Sequence, residues 1–181
     1  MSESGRSGDR HRREGGGRVI QMRIASLSVD SRSNSPVLVL SPLVVDPAHP
    51  RLLPIWIGTP EATSILLALQ GADMPRPLTH DLMRNVVETL GFVVERVEIT
   101  RVDEGTFYAA LILRGEESAF AIDARPSDSI ALAVRTGSPI YVDDAVFEQA
   151  SVEGEPDIDP EAEIEEFRGF LESVEPEDFL H

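Results

Sequence analysis

The chain has 181 residues, 41% of them hydrophobic, no cysteine and a formal net charge of −16. That length suits one domain with tails, and the missing cysteines exclude disulfides and thiolate metal sites and fit a reducing compartment. No apolar run reaches the roughly 20 residues of a membrane helix, and the arginines at the N-terminus precede no apolar signal segment. The expected setting is therefore cytoplasmic, with no membrane partner.

The charge is unevenly spread. Residues 1–18 hold five Arg against three acids, residues 19–150 ten against seventeen, and residues 151–181 one against twelve. Every one of the sixteen basic residues is Arg. So acidic a balance counts against non-specific binding of nucleic acid, whose affinity comes largely from neutralised phosphates.

In chain order, residues 1–18 are Ser-, Gly- and Arg-rich and have too little apolar surface to offset ordering entropy, which predicts a disordered arm. Order is expected from Val19. Val19–Val29 alternates loosely, Val37–Val45 is a dense apolar run, and Leu52–Ile57 follows a Pro-rich turn, which predicts three strands.

Thr59-Pro60-Glu61 signals the start of a first helix, with Ala62, Ile65, Leu66 and Leu69 as its buried stripe. Thr79 opens a second, with Leu82, Val86 and Leu90 expected to face inward. Three strands follow. Val93–Val102 places Val93, Val97 and Ile99 on one face, Phe107–Leu113 reads as central, and Ser118–Asp123 puts Phe120 and Ile122 opposite Asp123.

Ser127 opens a third helix, apolar nearly all round from Ile130 to Val134 and therefore expected to be buried on several sides. A short strand, Ile140–Val142, and a helix, Asp143–Ala150, complete a domain over residues 19–150. The class is α+β, with a mixed sheet and about three core helices. Residues 151–181 form a flexible acidic tail. Ile164, Phe167, Leu171 and Val174 recur there at helical spacing, which predicts a short amphipathic helix that could dock on the body or on a protein partner. Trp56, in an apolar strand, is expected in the core.

Two Arg-Pro turns each lead into a helix: Arg76-Pro77-Leu78-Thr79-His80-Asp81-Leu82 and Asp123-Ala124-Arg125-Pro126-Ser127-Asp128-Ser129. They place two arginines, one histidine and three aspartates at or near helix starts. His80 is the general acid or base candidate, since an imidazole ordinarily titrates near neutrality. Asp123 or Asp128 would orient it if the two turns meet. Arg76 and Arg125 could grip phosphate oxygens as forks near helix N-termini. Asp81, Asp123 and Asp128, together with Glu61, offer hard oxygen ligands, and two or three converging could hold Mg²⁺ or Mn²⁺. Each group also has a structural reading. First-turn acids complement the helix dipole, and Arg125 could clamp its own turn through Asp123 or Asp128.

These turns, with Leu53-Pro54-Ile55-Trp56-Ile57-Gly58, Gly105-Thr106-Phe107-Tyr108-Ala109 and Ser138-Pro139-Ile140-Tyr141-Val142 in order around them, resemble the bifunctional nuclease domain family over residues 19 to 150. The resemblance implies a phosphodiesterase acting on DNA or RNA. Its catalytic candidates are His80, Asp81, Asp123 and Asp128, and its substrate-binding candidates Arg76 and Arg125. The alternative is a non-catalytic regulatory or protein-binding module, which could be a homo-oligomer.

Overall fold

The computed structural model describes residues 17–154 and residue 169. The arm of residues 1–18 and the acidic tail therefore lie almost wholly outside the described residues, as does the expected tail helix.

The first three strands are β1 (Val19–Asp30), β2 (Ser35–Pro42) and β3 (Arg51–Trp56). Helices α1 (Thr59–Leu69) and α2 (Thr79–Thr89) follow, then β4 (Val93–Asp103), β5 (Thr106–Arg114) and β6 (Ala119–Ala124). Helix α3 (Pro126–Thr136), β7 (Ile140–Asp143), α4 (Asp144–Ala150) and the two-residue β8 (Val152–Glu153) complete the described chain. Among the described residues the fold is α+β, as the sequence predicts, with the four helices named and one sheet of order β6-β5-β4-β7-β1-β2-β3-β8. Only the β4–β7 pair is parallel, which makes the sheet mixed.

Consecutive residues of a strand point to opposite faces. Val37 and Leu38 of β2 are both buried, as are Val97, Glu98 and Ile99 of β4, so these strands are covered on both sides. Helix α3 packs on β4 and β5, α1 on β2 and α3, and α4 on β3, β4 and β7. Ile130, Ala131, Leu132 and Ala133 of α3 are fully enclosed, as an all-round apolar helix must be.

Several expectations fail for identifiable reasons. Helix α2 turns its apolar stripe outward: Leu82 is 57% exposed, and Val86 and Leu90 are exposed too. Its buried position is His80, beside a half-buried Val87. The polar side won because His80 and Asp81 have partners waiting on α1 and α3. Trp56 is 56% exposed on its strand and donates from Nε1 to Asp30 Oδ2 at 3.4 Å instead of filling the core. Leu69 is exposed at the end of α1.

In β4 a bulge between Val94 and Arg96 shifts the alternation, so Val94 is buried while Val93 is exposed. Strand β5 lies next to the sheet edge, not at its centre. Gly58, Leu78 and Arg125 are the N-caps, none with a capping side chain, and Ser127 is a buried residue inside the first turn of α3. Thr59 and Thr79 open their helices as expected, whereas α3 begins one residue before Ser127, at Pro126.

Candidate functional site

The two Arg-Pro turns meet. Helix α2 crosses α3 so that His80, buried near the start of α2, reaches Asp128 in the first turn of α3, with Nε2 3.1 Å from Asp128 Oδ1. On its other side His80 Nδ1 lies 2.9 Å from Ser64 Oγ, a buried hydroxyl on α1. A carboxylate only accepts hydrogen bonds, so Nε2–H donates to Asp128. In the neutral ring Nδ1 then accepts the Ser64 proton.

Asp128 is held from outside by Arg125, whose Nε donates to Oδ2 at 2.8 Å and Nη2 to Oδ1 at 3.2 Å. The same Nη2 donates to Glu61 Oε1 at 2.6 Å. Glu61, in the first turn of α1, is mostly enclosed while the Arg125 side chain is 64% exposed. A Cβ at position 58 would collide with the Glu61 carboxylate, so Gly58 gives that side chain its room. The hydrogen bonds that Arg125 donates to Asp128 and Glu61 hold its guanidinium above even its ordinary high pKa. Three helix starts thus build one cluster: a buried Ser64–His80 pair, two carboxylates, and an arginine facing water.

The remaining candidates go elsewhere. Asp81 reaches α3 two turns further along, where it accepts from Arg135 Nε at 2.6 Å, and it also accepts from the Leu78 backbone N–H at 2.9 Å. Burial pushes its carboxyl up, but the bonds from Arg135 and Leu78 outweigh this and leave it below its ordinary value. Arg135 is itself almost fully buried, with a side chain 5% exposed. Asp123 is exposed on β6, and Arg76 is exposed in the loop before α2. Neither makes a hydrogen bond or ion pair with the His80 cluster.

Among the described residues no group of three or more His, Cys, Asp or Glu side chains is placed to hold a metal ion. Glu61 and Asp128 instead share a guanidinium. A cavity of about 380 Å³ lies on the Asp81 side, lined by Leu78, Asp81, Arg84, Val134 and Arg135 among others, and does not include the His80 cluster. Among the described residues no helix is long and apolar enough to cross a membrane.

Sequence reasoning missed Ser64 and Arg135. Both carried a signal. Ser64 borders the apolar run that begins at Ile65 in α1, and Arg135 directly follows the apolar run Ile130–Val134 in the last turn of α3; a polar group beside such a run demands a polar partner.

Residues 43–155, which contain every member of the cluster, match the family described as Bifunctional nuclease domain. The uncharacterized protein Rv1829 of Mycobacterium tuberculosis (strain ATCC 25618 / H37Rv) is 44% identical over 166 residues, covering 88% of this chain and 97% of that protein. Bifunctional nuclease 1 of Oryza sativa subsp. indica is 33% identical over 94 residues, which are 50% of this chain and 28% of the plant protein. Bifunctional nuclease 1 of Arabidopsis thaliana is 30% identical over 94 residues, again 50% of this chain and 29% of the relative. The match spans most of the described domain, including both turns and the helices they open, and on that basis the chain belongs to the bifunctional nuclease domain family.

Proposed function

We propose that the protein hydrolyses phosphodiester bonds of DNA or RNA at the cluster formed by Glu61, His80, Arg125 and Asp128. The observation that carries this reading is the 3.1 Å contact between His80 and Asp128, which joins the two turns and sets Arg125 at the surface beside them. The plant relatives named as nucleases support the reaction class.

In the proposed reaction Arg125 exchanges part of its carboxylate pairing for two phosphate oxygens, which a guanidinium fork fits. Asp128, freed on Oδ2 and held on Oδ1 by His80, accepts a proton from the attacking water. The new P–O bond forms as the ester P–O bond breaks, and the leaving oxygen takes a proton from solvent. His80 is the positioning residue for Asp128, and Ser64 fixes its ring. Arg76, exposed nearby in sequence, is a further phosphate contact. A divalent cation such as Mg²⁺ or Mn²⁺ would have to find its ligands among Asp128, Glu61 and the substrate.

One observation favours a second reading. Arg125 already has two carboxylate partners, as a purely structural clamp would. A nuclease assay on highly purified protein separates the two. It uses single- and double-stranded DNA and RNA, with and without EDTA, and runs His80→Ala and Asp128→Asn in parallel. Cleavage lost in both variants supports the enzyme. Cleavage equal in all three preparations marks a contaminant and leaves the regulatory module.

A further inference from the structure

The sheet ends unequally. At one side β8 has two residues, a blunt edge. At the other, β6 presents six residues with one charge, Asp123, no proline, and no described residue paired to its outer side. Such an edge is a template for another strand.

The apolar rows of the sheet run out to that edge uncovered. Directly opposed residues share a face. The register therefore links Ile122 to Leu111, Val97, Ile140 and Met22 in one row, and Phe120 to Leu113 and Val94 in the next. All of Met22, Ile140, Val97, Leu111 and Val94 are buried, yet Ile122 is 44% and Phe120 50% exposed. Phe120 meets Phe92 edge-on at 5.4 Å, which extends the shelf by one ring.

We propose that a second copy of this chain covers the shelf, with β6 pairing antiparallel to β6 about a two-fold axis at Ala121. The sequence selects the occupant and the register. A two-fold must oppose residues of one face, so only axes through a residue are allowed. An axis at Ala121 sets Phe120 against Ile122, an aromatic–β-branched pair, and does so twice. It also sets Glu117 against Arg125 and Ala119 against Asp123, with no like charges opposed. An axis at Phe120 would oppose Glu117 to Asp123, and an axis at Ile122 would leave Phe120 facing Ala124. The interface would end at Arg125, the guanidinium that also binds Glu61 and Asp128. Association would thereby bring a further carboxylate, Glu117 of the second copy, to the rim of the cluster.

Sedimentation velocity on the full chain over a concentration series tests association, and Ile122→Lys tests the face. The expected result is a dimer whose dissociation constant rises about tenfold or more in the variant, because a charge enters a desolvated contact. Cross-linking tests the register and does not depend on Ile122→Lys folding. The chain has no cysteine, so Ala121→Cys should form a disulfide-linked dimer under mild oxidation, whereas Ala119→Cys should stay monomeric in non-reducing gels. A wild-type monomer with no faster cross-linking of Ala121→Cys than of Ala119→Cys would overturn the proposal, whether the shelf is left bare or is covered by the chain's own acidic tail. A dimer that cross-links through Ala119→Cys instead would overturn the two-fold at Ala121.

Discussion

His80 and Asp128 are 48 residues apart in the chain and 3.1 Å apart in space, and their contact ties the start of α2 to the start of α3. The imidazole is enclosed while Asp128 is half-buried, so the pair carries polarity from Ser64 in the interior to Arg125 at the surface. Removing the ring would strip partners from both neighbours. We expect His80→Ala to cost about 2–3 kcal/mol of stability, because a buried hydroxyl and a carboxylate lose their bonds. Its hydrolytic rate should fall roughly 10²-fold, because Asp128, the proton acceptor, loses the residue that positions it. Chemical denaturation and the nuclease assay give the two numbers separately. Loss of stability with cleavage unchanged would make His80 structural only.

Asp81 ties α2 to Arg135 of α3. Its folded carboxyl lies below its ordinary value because the bonds from Arg135 and Leu78 outweigh burial. A depressed acid contributes stability that is present above the unfolded value, near about 3.9, and is lost as pH falls through the lower folded value. Asp81→Asn should destabilise the protein at pH 7 by about 2–4 kcal/mol, since the buried Arg135 charge loses its partner. The difference from wild type should shrink as pH drops below about 4. Thermal melts of both proteins from pH 3 to pH 7 check the sign. A gap that widened on acidification would remove the ion pair from the account.

The outward stripe of α2 gives a contrasting pair. Leu82→Gln should change stability by no more than about 0.5 kcal/mol, since the side chain is already in water. Ala131→Asp should cost more than about 3 kcal/mol by placing an unpaired charge inside α3, where Ala131 is fully enclosed. Denaturant midpoints for the two variants check the orientation of both helices. A large loss in Leu82→Gln would mean that α2 faces inward as its sequence suggests.

Arg125 is the exposed cation of the cluster, so Arg125→Gln should weaken binding of single-stranded DNA or RNA at low salt. It should also reduce the slope of log affinity against log salt by about 0.7, the share of one phosphate contact on a single strand. Fluorescence anisotropy across a salt series reads both. An unchanged slope would place the phosphate contact elsewhere.

Residues 151–181 carry twelve acids against one Arg, close in sequence to a body that offers Arg125 and Arg76. A tethered acidic segment competes with nucleic acid at high effective concentration. Because β8 pairs with β3, the cut that spares the sheet falls after Gly154, not after Ala150. That truncation should tighten nucleic-acid binding at low salt, with the gain fading as salt screens the charges. Equal affinities for the two chains would assign the tail another task.

The strands from Val19 to Val142 were legible because alternation, dense β-branched runs and turn residues act locally, and α3 was legible because its apolar residues leave no face for water. The outer stripe of α2 was misread for a tertiary reason. Leu82, Val86 and Leu90 have the spacing of a buried face, but enclosing His80 with Ser64 and Asp128, and Asp81 with Arg135, settled which side of the helix turned inward. Burial of a polar group is favourable only where a partner already stands, and the partners here come from other helices.

The same division holds for the cluster and the sheet edge. By itself the sequence determined that His80, Arg125 and Asp128 open helices, and that Phe120 and Ile122 share a face. Only the packing of α1, α2 and α3 decided that Glu61, Ser64, His80, Arg125 and Asp128 converge while Asp81, Asp123 and Arg76 do not. Only the strand order decided that the face of Phe120 and Ile122 ends uncovered at β6. Spacing along a chain fixes which face of its own element a side chain occupies, whereas the neighbour it meets depends on contacts between elements dozens of residues apart.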